Sequence, residues 1–155
     1  MILTGESAIK IGRVRPIRLI LALFAIVLSK HHREKLLAKY GGTYREALPN
    51  FLFAGHFCNV AEFDYYQTSH DPRVVPTTHR LFGGWVIIQE RGAPVTAFEL
   101  ERENPFDAIT LNTAFAEIDR VKQFCRLKNG KIALCDYGCQ ATLGALRKIS
   151  FARNE

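Results

Sequence analysis

Residues 16–40 read PIRLILALFAIVLSKHHREKLLAKY. The run predicts one long helix, apolar in its first half and basic in its second. Pro16 suits a first helical turn, where its missing N–H is no loss. Leu19 to Leu28 contains no polar residue. Leu36, Leu37 and Tyr40 then continue an apolar stripe. His31, His32, Arg33, Lys35 and Lys39 lie towards the C-terminal end, where cations favour the helix dipole. Gly41 offers the left-handed stop. The uncharged run Leu19 to Ser29 covers only about 16 Å at ~1.5 Å per residue, against a hydrocarbon core of about 30 Å. A full span is therefore not expected, and a buried core helix is. No small-residue cleavage site follows the run, which argues against a secretory signal.

Outward from this helix the patterns alternate in type. Thr43 to Glu46 fits a capping box for a short helix ending before Pro49. Asn59 to Glu62 is a second box-like start, for a helix over roughly residues 60–67. Residues 69–78 read as a loop. Trp85–Gln89 and Pro94–Leu100 are strand-like, joined through Arg91-Gly92 as a hairpin that is apolar on both faces. Ala114, Phe115, Ile118, Val121 and Phe124 recur at helical spacing, with Asn112 as cap. Asn129-Gly130 is the best hairpin turn, between Arg126–Lys128 and Lys131–Cys135. Gln140 to Ile149 reads as a closing helix. The expected fold is α+β: a single domain over residues 1–155, with a long N-terminal helix and shorter helices packed on a small antiparallel sheet of two hairpins. Residues 1–15 read as a basic N-terminal arm.

Charge is unevenly placed. Residues 1–50 hold nine Lys and Arg against three Glu, whereas residues 51–155 are balanced, so the whole excess of +6 lies in the first third. Arg13, Arg15, Arg18, His31, His32, Arg33, Lys35 and Lys39 form the candidate binding surface. An acidic protein is the favoured partner, with nucleic acid or an anionic membrane as alternatives. Lys10 to Arg18 could track phosphates, but no aromatics are interleaved for base stacking.

Four cysteines occur, at 58, 125, 135 and 139. They are expected to be reduced in a cytoplasmic chain that needs no disulfide framework. A two-residue turn at Asn129-Gly130 would pair Cys125 with Leu134 and send Cys125 and Cys135 to opposite faces. With Cys135 and Cys139 spaced more loosely than a zinc knuckle, no metal is expected. Cys58 before a helix capped by Asn59 would have a lowered thiol pKa. His79 as base and Asp64 as its orienting acid would complete a thiol-dependent transferase or hydrolase site. Asp136-Tyr137-Gly138 is similar to the metal-binding tripeptide of protein kinases, but no glycine-rich loop or catalytic-loop signature accompanies it. A turn after a strand is its expected role.

The reading that follows is a small non-catalytic binding protein of the accessory, inhibitor or immunity type. Its basic N-terminal surface would meet the acidic partner. No cofactor is expected. The alternatives are the Cys58 enzyme and a peripheral membrane protein anchored by Leu19 to Leu28.

Overall fold

The computed structural model of the chain describes residues 2–14, 16–106, 121–139 and 142–147. The class is α+β. Strands β1 (Ile2–Thr4), β2 (Ser7–Ile11), β3 (Thr77–Leu81) and β4 (Val86–Glu90) form an antiparallel sheet in the order β1-β2-β4-β3. Strands β5 (Ala93–Pro94), β6 (Phe124–Arg126) and β7 (Ile132–Leu134) form a second sheet in chain order. Most of the expected basic arm is therefore sheet: residues 2–11 supply two strands and carry one Glu and one Lys. The sheets join where the Val75 N–H donates to the Leu134 carbonyl at 3.0 Å.

Between β2 and β3 the chain makes a helical excursion: α1 (Pro16–Leu28), α2 (Lys30–Tyr40), α3 (Tyr44–Leu52) and α4 (Ala54–Ser69). The expected single helix over 16–40 is therefore two. Ser29 takes an extended conformation (φ −144°, ψ 120°). Both backbone groups of Ser29 are satisfied, its N–H donating to Ala25 O and its carbonyl accepting from the Arg33 N–H. The break folds α2 back so that Leu36 is buried near Ala22 and Ile26. A straight helix would leave Leu36 in water.

The expectation that the apolar run is a core helix does not hold. Phe24, Val27 and Leu28 are 65%, 78% and 83% exposed. Packing of α1 is chiefly against α2 and α3. Each large side chain left outside forgoes about 1.5–3 kcal/mol of burial energy. The start of α4 returns to the chain just after β2: a Cβ added to Gly55 would lie 2.6 Å from the Arg13 nitrogen. Helix α3 runs through Pro49, which forfeits only its own N–H, while the Asn50 amide ties the helix to the Tyr40 carbonyl at 2.7 Å. Thr43 stands at its N-cap without a side-chain bond.

The Arg91-Gly92 hairpin is not formed. Strand β4 pairs with β2 and β3, and β5 crosses to β6. Residues Ala97–Glu103 are instead helix α5, started by a reciprocal capping box between Thr96 and Glu99. Two satisfied N–H donors outweigh the strand propensity of Val95 and Thr96. The Asn129-Gly130 hairpin is present, one residue out of the expected register: Phe124 faces Leu134 and Cys125 faces Ala133. A longer loop closed by Leu127 N–H to Lys131 O, with Gly130 at φ +82°, causes the shift. Cys125 and Cys135 consequently share a face, contrary to the two-residue-turn reading. Residues 142–147 are helical, and we label them α6. The rest of the expected closing helix and residues 112–120 of the expected preceding one lie outside the described residues; the expected end of the latter is instead a 3-10 turn, Val121–Gln123, running into β6 at Phe124. The main core gathers Tyr65, Val74, Phe106, Phe124, Leu134, Tyr137 and Leu146.

Candidate functional site

Alternation along β2 puts Ala8 and Lys10 on one side, facing α4 and the cleft between the sheets. Helix α4 buries Asn59, Glu62 and Tyr65. Glu62 is 0% exposed, and a buried carboxylate persists only when paired and hydrogen-bonded. It has three donors. Lys10 Nζ lies 2.5 Å from Oε1, the Gly138 N–H lies 3.1 Å from Oε1, and Gln89 Nε2 lies 3.0 Å from Oε2. Lys10 also reaches Asp136 Oδ1 at 2.8 Å. Asp136 is the solvent-facing member, with its side chain 64% exposed.

The network continues inward. Gln89 Nε2 donates to Thr77 Oγ1 at 3.1 Å, and Tyr137 OH lies 2.9 Å from the same hydroxyl. Tyr137 OH also donates to the Val75 carbonyl at 3.0 Å. Asp136, Tyr137 and Gly138 therefore all engage this network, although a plain turn is their sequence reading. Gly138 is seated so close to α4 that an added Cβ would overlap the Cys58 carbonyl oxygen.

Electrostatics follow from this packing. Burial works against the Lys10 ammonium, but the carboxylates of Glu62 and Asp136 outweigh it and hold its pKa above the usual lysine value. Burial pushes the Glu62 carboxyl up to about 7, against the pull of Lys10. Partial desolvation opposes ionisation of Asp136, yet Lys10 holds its carboxyl below the ordinary aspartate value. The result is a fixed cation between a deep carboxyl and an exposed carboxylate.

A cleft of about 830 Å³ opens beside this cluster, lined by both sheets. Leu3 and Ala8 contribute from the first sheet, Glu90 to Gly92 from the crossing strand, and Leu127 and Cys135 from the hairpin. Gln89 belongs to both cleft and network. The cleft volume falls within the range of small-molecule sites.

The Cys58 site has another geometry from the one the sequence suggests. Helix α4 begins at Ala54, so Cys58 lies a full turn inside it and Asn59 is no cap. The Asn59 amide instead reaches the Lys10 and Trp85 carbonyls at 3.4 Å. Burial pushes the Cys58 thiol up to about 11, with Glu62 and Asp136 adding to the shift. That protonated thiol is the reverse of an activated nucleophile. His79 bonds Thr78 Oγ1 at 2.9 Å, and Asp64 pairs with Arg80 at 2.9 Å. Among the described residues no hydrogen bond joins Cys58, His79 and Asp64. Brief alkylation at about pH 8 is expected to modify exposed Cys139 and spare Cys58, read by peptide mass spectrometry. Early modification of Cys58 would contradict the protonated assignment.

Of the candidate binding residues, Arg13 is exposed after β2, and His31, His32, Arg33, Lys35 and Lys39 are exposed on α2. Arg18 lies on α1, and Arg15 lies outside the described residues. The residues that converge on the buried network, Lys10, Glu62, Gln89 and Asp136, are not among them. The available signal was Ser7-Ala8-Ile9-Lys10 read together with Asp136-Tyr137-Gly138. No protein-family model matches the chain, and neither the curated proteins nor the solved structures yield a match.

Proposed function

We propose that the chain binds a nucleoside triphosphate with a divalent cation, in the manner of protein kinases. The observation that carries this reading is the triple contact of Lys10, Glu62 and Asp136. Protein kinases use a strand lysine paired to a helix glutamate, and an aspartate of a D-F-G tripeptide that holds Mg²⁺. Here the lysine ends Ser7-Ala8-Ile9-Lys10 on β2, against V-A-I-K. The glutamate is on α4, and the aspartate opens Asp136-Tyr137-Gly138. The cleft beside them would take the base.

A divalent cation fits the donor set. Among the described residues no three His, Cys, Asp or Glu side chains form a self-sufficient metal site. Mg²⁺ needs none, because one or two carboxylates and the phosphates themselves suffice. Exposed Asp136 would supply the carboxylate and Lys10 the phosphate contact. A bound cation draws charge towards the phosphates and orients them. The turn between β1 and β2 carries Gly5 alone and no glycine-rich loop, so the grip rests mainly on Lys10.

The sequence holds no H-R-D-x-x-x-x-N catalytic-loop signature, which supports binding without transfer. The non-catalytic reading made from the sequence is carried on here, as a nucleotide-bound binding protein.

Calorimetric titration with ATP, with and without Mg²⁺, tests the proposal. Wild type is expected to bind the Mg²⁺ complex. Lys10→Met should weaken binding about tenfold or more, equivalent to about 1.4 kcal/mol. Asp136→Asn, a change at the solvent-facing edge, should remove the enhancement by Mg²⁺. No binding by folded wild type, or binding that neither substitution alters, would overturn it. Phosphate transfer to a protein acceptor would overturn the non-catalytic part alone.

A further inference from the structure

Helix α1 is apolar on two faces. Ala22, Ala25 and Ile26 look towards α2. Ile17, Ile20, Leu21, Phe24, Val27 and Leu28 are all exposed. Their spacing places these six on one continuous stripe of the helix, opposite the packed face. Nothing in the described chain covers that stripe.

The surroundings indicate what does. Helix α1 has no acidic residue, and α2 begins after the single linking residue Ser29. Along α2, Lys30, His31, His32, Arg33, Lys35 and Lys39 are exposed against the single acid Glu34. An apolar ridge with a cationic helix packed behind it complements a surface that is oily beneath and anionic above. A second copy would set two basic α2 helices against each other. The helix of 13 residues is about 20 Å long, and no described helix is long and apolar enough to cross a membrane. The geometry points to α1 lying in the plane of an anionic lipid bilayer, its outer stripe among the upper acyl chains and α2 over the headgroups. This docking surface is independent of the nucleotide reading.

Co-sedimentation with phosphatidylcholine vesicles, with and without phosphatidylserine, tests it on the whole chain. Binding is expected to the mixed vesicles, to weaken about tenfold or more on neutral ones, and to fall with added salt. Phe24→Glu with Val27→Glu should abolish it while leaving the circular dichroism spectrum unchanged, since both side chains point outward. Lys30→Glu with Arg33→Glu should weaken it without touching the apolar stripe. Absence of binding to mixed vesicles, or equal binding to neutral ones, would overturn the inference. So would a concentration-dependent dimer in gel filtration that the Phe24 and Val27 substitutions dissolve, because the stripe would then belong to a second copy.

Discussion

Replacing Glu62 with alanine is expected to lower the unfolding free energy by about 3–5 kcal/mol, because it strands buried partners of a carboxylate. The Gly138 N–H would lose its acceptor and Gln89 one of two. Lys10 would keep only Asp136, the exposed partner. Glu62→Gln keeps the shape but turns an amide towards one of these donors, and a loss of about 1–3 kcal/mol is expected. The two variants also separate by pH. The folded carboxyl titrates near 7 and the free one near 4.5, so the native state holds the proton more tightly. The contribution of Glu62 is therefore greatest below the free value and is lost as pH rises through the folded one. Denaturant titrations across that window should show this decline in wild type and not in Glu62→Gln. An identical slope in both would exclude Glu62 as its source.

Gly138→Ala should be nearly as damaging from a single methyl group. The added carbon would overlap the Cys58 carbonyl oxygen and stand 2.8 Å from Glu62 Cγ. The first obstacle is helix backbone, which cannot rotate away. Overpacking of this kind costs about 1–3 kcal/mol, and the upper end is expected here. Any retreat of the 136–138 segment also lengthens the Gly138 bond to Glu62. Gly144 is the matched control: it lies in α6 with nothing within 4 Å of an added Cβ. Gly144→Ala should stabilise by about 0.5–1 kcal/mol through helix propensity. Equal denaturation midpoints for both variants would refute the close approach.

Local signals were the legible part of the chain. Asn129-Gly130 marks a real hairpin, the α+β class holds, and the basic half of residues 16–40 is a solvent-facing helix. Where two local signals competed, the wrong one could be chosen. Thr96 and Glu99 form the capping box, but Val95 reads as strand. Asn59 to Glu62 has the spacing of a box, yet tertiary packing starts that helix at Ala54. The site itself depends on distant partners. Lys10 is 52 residues from Glu62 and 126 from Asp136. Lys10 was therefore legible only as one cation among several, and Glu62 only as the fourth residue of a helix start. A register shift of one residue, set by loop length, likewise decided which face Cys135 shares.

The contact of Gly55 with Arg13 makes α1 to α3, the part of the helical excursion before α4, a detachable insert. The segment after β2 and the first turn of α4 lie side by side, so the chain from residue 14 to 53 begins and ends at one doorway. An insertion whose ends nearly touch can be removed by a short splice without moving what flanks it. β2 carries Lys10 and α4 carries Glu62, and both lie outside that span. Their meeting is thus independent of the insert by topology. The helices that carry the oily and basic surface can therefore change in length and chemistry without displacing the strand and helix that hold the ion pair.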